Sequence, residues 1–163
     1  MSDVFAFDWG TTVVGVLDIH ANAYTPYRGK AMFDAAQMLS QCRGTIVSFN
    51  GLGKDLAELA LILGIPQWNF EVDHADMQVI TSRERWPPDP GTSPILGEGL
   101  VATHKHYFGE ETLRPTENLT DPYLQANWRD CRMTADLWVA WKEDALASHS
   151  KRPNRSLERT REG

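Results

Sequence analysis

Cysteine is scarce in this chain, with only Cys42 and Cys131 among 163 residues. Two thiols provide no disulfide framework, and their separation fits no metal-ligand spacing. Long apolar runs are missing too. No segment approaches the ~20 apolar residues of a membrane span. The opening MSDVFAF lacks the basic stretch, apolar core and small-residue cleavage site of a secretory leader. These absences predict a soluble, cytoplasmic protein without a membrane partner. Positive charge is also in short supply, with 16 Lys and Arg against 22 Asp and Glu, a net charge of −6. The surface as a whole does not attract a polyanion, so nucleic-acid contact requires a local basic patch or bound cations.

The chain does have enough apolar residues, 42% with six Trp, for one sizeable core at this length. The boundary falls after residue 147. From Ser148 on, Lys151, Arg152, Arg155, Arg159 and Arg161 form a basic polar tail, read as a solvated terminus or a contact for a phosphate backbone.

Within 1–147, Val4–Phe7 is a short apolar run of the kind buried on both faces of a sheet. Val13–Ile19 is β-prone and follows a tight link, and His20–Arg28 allows a short edge strand. Met32, Ala35, Ala36 and Leu39 mark a helix face over Lys30–Gln41. Thr45–Phe49 reads as a strand, Asn50–Gly53 as a loop, and Lys54–Leu63 as a helix stopped by Gly64 and Pro66. Trp68–Val72 is a plausible strand with Asp73–Asp76 at its exit, and Met77–Arg85 a weak helix. Trp86–Pro94 is a proline-rich loop, Ile95–Phe108 has helical spacing, and Glu110–Leu119 is irregular. A final helix starts behind Thr120–Asp121–Pro122, whose residues suit a cap and first turn, and runs to about Leu146. Leu124, Trp128, Cys131, Ala135, Trp138 and Trp141 point inward. This order predicts an α/β fold, a mixed sheet with helices on both faces.

Three carboxylates are candidates for chemistry. Asp8 lies at the carboxyl end of the first strand, where open α/β sheets place ligands. It reads as a metal-binding acid, a turn or cap residue, or part of a DxGTT phosphate turn. Asp55 stands near a helix start, which the helix dipole favours with or without a function. Asp130 lies inside the last helix and either pairs with an arginine or binds a cation. Clustered carboxylates repel unless cations neutralise them, and two cations ~4 Å apart stabilise the attacking water and the leaving oxygen of a phosphodiester. Oxygen ligands suit Mg²⁺ or Mn²⁺.

The order of these pieces resembles the DEDD (DnaQ-like) 3′–5′ exonuclease family of the ribonuclease H-like superfamily, in the branch related to family B polymerase proofreading domains. Phe7–Asp8–Trp9–Gly10–Thr11–Thr12 resembles its F-D-x-E-T-T strand motif. Phe49–Asn50–Gly51 followed by Asp55–Leu56 resembles its F-N-G…D-L segment. His74–Ala75–Asp76–Met77, the helix ending near Gly109, and Asn127–Trp128–Arg129–Asp130–Cys131 follow in family order. The resemblance covers about 4–141 and implies a ribonuclease H-like sheet with Asp8, Asp55 and Asp130 as catalytic Mg²⁺ or Mn²⁺ ligands. Asn50 and Gly51 would shape a substrate-side loop, and the substrate would be an end of single-stranded DNA or RNA.

Two positions depart from that pattern. Gly10 replaces the second carboxylate of the first motif. Gln125 and Ala126 stand where the family carries a His or Tyr that poises the attacking water. Tyr123, His74, His104 and His106 are candidates for the latter role, and Glu98 for the missing acid. The expected function is a metal-dependent nuclease with an incomplete site. The alternative is an inactive module of the same fold that binds nucleic acid or a protein partner. The DWGTT segment also resembles the phosphate turn of actin-like ATPases and sugar kinases, and the strand order allows a Holliday-junction resolvase-like nuclease.

Overall fold

The computed structural model describes residues 2–66, 72–85, 99–109, 113 and 119–143. Its sheet has five strands, β1 (Val4–Trp9), β2 (Val13–Asp18), β3 (Ala23–Arg28), β4 (Thr45–Ser48) and β5 (Asp73–Asp76). They lie in the order β3-β2-β1-β4-β5. β1 pairs antiparallel with β2 and parallel with β4, so it is the central strand of a mixed sheet. The expected α/β, ribonuclease H-like arrangement is what the chain adopts.

Side-chain alternation along β1 assigns two cores. Val4 and Ala6 join Leu17, Tyr24, Val47, Trp128 and Cys131 on one face. Helices α4 (Leu100–Phe108) and α5 (Pro122–Lys142) cover that face. Phe7 and Trp9 join Val14, Val16 and Ile46 on the other face, under α1 (Ala31–Ser40) and α2 (Leu56–Leu63). A further helix, α3 (Met77–Arg85), follows β5 directly. Helices therefore cover both faces. Asp8 keeps the phase of Val4 and Ala6, which aims it at α5.

α5 begins as the sequence predicts. The Asp121 carboxylate accepts from the Tyr123 backbone N–H at 2.8 Å, and Pro122 takes the first turn. Arg28 of β3 donates to Asp121 at 2.6 Å and fastens the start of the helix to the sheet edge. Trp128, Cys131 and Ala135 are buried as expected, together with Asn127, Met133, Thr134, Leu137 and Ala140.

Several boundaries differ. β1 continues through Asp8 to Trp9, so Asp8 sits within the strand. The expected loop Asn50–Gly53 is largely a π-helical turn, Gly51–Asp55, and α2 starts at Leu56 rather than Lys54. The strand expected at Trp68–Val72 is instead Asp73–Asp76, the segment read as its exit, and 67–71 lie outside the described residues. The helix expected over Ile95–Phe108 is described from Leu100. The final helix, expected to run to about Leu146, ends at Lys142 with Glu143 as its cap. Residues 144–146, the expected loop 86–94, most of 110–119 and the expected basic tail 148–163 also lie outside the described residues. Among the described residues no helix is long and apolar enough to cross a membrane.

Candidate functional site

The π-helical turn after β4 is anchored by side chains from two strands, β4 and β5. Asn50 adopts a left-handed backbone, φ 65°, which asparagine tolerates better than most residues. Asp76, at the end of β5, accepts the backbone N–H of Asn50 at 2.8 Å and of Leu52 at 3.0 Å. Ser48 accepts the Gly51 N–H at 3.0 Å and lies 2.7 Å from His74 Nε2. Ser48 thus bridges the turn and His74, the direction of the second bond being set by the His74 tautomer. Burial lowers the pKa of His74, in keeping with a neutral ring there. A Cβ on Gly51 would stand 2.1 Å from Ser48 Oγ, so this position requires glycine. Asn50 and Gly51, expected beside a substrate, thus have structural reasons of their own.

The turn delivers Asp55 to the end of β1. Although Asp55 precedes α2, its side chain makes no cap hydrogen bond to that helix. It accepts instead from the Trp9 backbone and is 3% exposed. Burial, Asp8 and, to a smaller extent, Asp76 push its pKa up to about 7, against the opposing pull of Lys54. Asp8 is pushed up to about 6 by burial and by Asp130, while Lys54, Asn127 and Arg129 act the other way. Burial also raises Asp130, against Arg129. The three acids named from the sequence therefore come together electrostatically, from β1, the π-helical turn and α5. Their combined field also contributes to holding the fully buried Cys131 thiol well above its ordinary value, mainly through burial. Such a thiol is inert.

Asn127 holds Asp8, donating to its Oδ2 at 3.1 Å and to its carbonyl at 3.2 Å. Next to this contact lies a cleft of about 470 Å³, lined by Asp8, Asp130, Thr11, Thr12, Tyr123 and Ala126 among others, with Gly10 on its wall. The two departures from the exonuclease pattern, Gly10 and Ala126, thus border one space. Tyr123 stands on its rim, 76% exposed. None of the candidate histidines lines the cleft. His74 bonds Ser48, the buried His104 bonds Asp136 at 3.0 Å, and His106 is exposed beside the Tyr107 ring. Glu98 lies outside the described residues.

Mutual repulsion at Asp8 and Asp55 is what a bound cation would relieve, so these two fit Mg²⁺ or Mn²⁺ as donors. Asp130 fits less well as it stands, because Arg129 donates to its Oδ1 at 3.3 Å. Among the described residues no three His, Cys, Asp or Glu side chains are arranged to hold a metal ion. That ion pair is half-exposed, 45% and 30%, and such pairs are worth only ~0–1 kcal/mol. Releasing Asp130 toward the cleft is therefore cheap.

Reasoning from sequence missed Lys54, Asn127, Tyr24 and Asp76. Only Lys54 had a local signal, a lone cation directly before a candidate acid. The others act across the fold.

Comparison of the chain with protein-family models, curated proteins and solved structures finds no match.

Proposed function

We propose that this protein is a DEDD exonuclease-like domain, a cytoplasmic Mg²⁺- or Mn²⁺-dependent nuclease with a reduced site, acting on ends of single-stranded DNA or RNA. The observation that carries this reading is that Asp8 and Asp130 line one open cleft at the carboxyl end of the central strand, with the Asp8 charge acting on Asp55 in the adjoining turn. Perturbed carboxylates cluster at functional sites, and the carboxyl ends of the strands are where open α/β sheets bind ligands. Lys54 and Arg129 act on the Asp8 carboxylate, so positive charge stands near the acids although the whole chain is acidic. Both suit phosphate oxygens.

Asp8 and Asp55 would hold the ion, and Asp130 would join once it leaves Arg129. When bound, the ion supplies neutralising charge for a phosphate and acidity for a water. The protein's own part is to orient the strand end. Lys54 and Arg129 draw the phosphate in, and Tyr123 offers a ring at the rim on which a base stacks. Gly10 and Ala126 take away the family's usual means of poising the water, which predicts slow turnover.

The second reading is a non-catalytic module of the same fold. It is favoured by the Arg129–Asp130 pair, which neutralises one of the three acids within the protein.

Degradation of end-labelled single strands with Mn²⁺ tests the first reading, with Asp8→Asn as the control. Loss of at least about 100-fold in rate in the mutant is expected. Equal degradation by both proteins would reject the assignment. Metal-independent binding without degradation would favour the module.

A further inference from the structure

Asn127 links α5 to two strands at once. Its amide nitrogen faces the carbonyl and the carboxylate of Asp8, both of them acceptors. Its Oδ1 must therefore face the other way, where the Tyr24 hydroxyl donates to it at 2.6 Å. All three partners sit over Gly15, which pairs with Asp8 across the hairpin. A Cβ on Gly15 would stand 1.7 Å from Asn127 Oδ1 and 2.9 Å from Tyr24 Cε2. The absent side chain at Gly15 is what lets the amide reach the sheet. Asn127 is 4% exposed and Tyr24 6%, so water does not compete for these bonds. Of the two Asp8 carboxylate oxygens, Oδ2 is the one tied to Asn127, and Asp8 is also a wall of the cleft.

We propose that Asn127, with its amide set by Tyr24, is a positioning residue for Asp8, so that edge strand β3 controls how the central carboxylate faces the cleft. This rests on the cation-binding reading above. The reasoning is a matter of donors and acceptors. Without the Tyr24 hydroxyl, Asn127 Oδ1 is a buried carbonyl with one donor fewer. The amide keeps its two bonds to Asp8 but loses the contact that anchors its far side, so its hold on the carboxylate slackens and Asp8 is freer to leave its rotamer.

The test is a Mn²⁺ titration by calorimetry on the full chain, comparing wild type, Tyr24→Phe, Asn127→Ala and the double mutant. Tyr24→Phe retains the packed ring and removes only the hydroxyl. We expect it to weaken Mn²⁺ binding roughly three- to tenfold, and to have no further effect once Asn127 is alanine. Unchanged affinity in Tyr24→Phe, or independent losses that multiply in the double mutant, would overturn the proposal. If wild type binds no Mn²⁺, the cation reading falls and NMR of the metal-free protein decides the inference separately. Tyr24→Phe should then remove the exchange protection of the Asn127 side-chain amide and move the Asp8 carboxyl carbon resonance at constant pH. An unmoved Asp8 resonance would reject the positioning role.

Discussion

Helix α5 carries two partly buried polar clusters, and they are built on opposite rules. Toward its first half, Asp8, Asp55 and Asp130 collect negative charge that Lys54 and Arg129 only partly offset. Toward its second half, Asp136 is matched. It accepts from His104 at 3.0 Å and from Arg132 at 3.0 Å, and Arg132 reaches on to Asn22 in the β2–β3 turn at 2.6 Å. His104 also packs its ring 4.6 Å from Phe108. The matched cluster fastens α4 and the hairpin turn to α5, and its chemistry is used up in doing so. The unmatched cluster has unspent capacity. A histidine facing a carboxylate looks catalytic in sequence, yet here it is the structural one.

The largest effect should come from breaking the matched cluster. Asp136→Ala leaves His104, 2% exposed, and Arg132 without their shared partner. Removing one member of a buried pair costs ~3–5 kcal/mol. With Asp136 itself 24% exposed, about 2 kcal/mol is the appropriate expectation. Asp8→Asn should show no such loss at pH 8, because it removes a charge that the fold already resists. Urea denaturation of both variants checks this. Equal destabilisation would erase the distinction between the clusters.

An effect of similar size follows from pH. Asp8 and Asp55 have folded-state values of about 6 and about 7, above the ordinary 3.8. The folded chain therefore holds more protons than the unfolded chain between about pH 4 and pH 7. Their contribution to stability is greatest at the acid end of that window and declines as pH rises through the folded values. Wild type should lose on the order of 1–3 kcal/mol from these groups between pH 5 and pH 8. The Asp8→Asn/Asp55→Asn double mutant should lose less. Parallel pH profiles for the two proteins would show that the acids are not strained by burial, and the contrast with Asp136 would lose its physical basis.

Most of the fold was legible because its signals are local. The apolar run of β1, the 3.6-residue spacing of α1 and the capped start of α5 each follow from neighbouring residues. β5 was not legible. Asp73–Asp76 contains no β-branched or aromatic residue, and it is a strand because Thr45–Ser48 offers it a ladder. Two of its four residues, His74 and Asp76, are spent on the π-helical turn. That turn was hidden for the same reason, since Asn50–Gly53 reads as a loop until Asp76 and Ser48 appear as its anchors. The three acids were singled out by order and spacing. What sets Asp8, the Tyr24–Asn127 contact between residues 103 apart, has no trace along the chain. The pairing of Asp130 with an arginine was one of its two readings from the sequence, and the adjacent Arg129 makes it.

The smallest change sharpens the unmatched cluster directly. A carboxylate at position 10 would stand two residues from Asp8, at the wall of the same cleft. The space is tight but passable, because a Cβ on Gly10 would meet the Val13 carbonyl oxygen at 3.0 Å and the Val13 Cγ1 at 3.6 Å. The Gly10–Val13 turn must give by a few tenths of an ångström, and its 2.8 Å hydrogen bond will lengthen. Gly10→Glu should therefore cost roughly 0.5–1 kcal/mol in metal-free stability through strain and added repulsion. In exchange it should tighten Mn²⁺ binding by about tenfold, since each added carboxylate ligand raises the charge facing the ion. Calorimetry of Mn²⁺ binding and urea denaturation with and without Mn²⁺ measure the two sides. A variant that loses stability yet binds Mn²⁺ no better would mean that position 10 does not face the ion. The deficit of this cluster would then lie in Asp130 and its hold on Arg129 rather than in the missing acid.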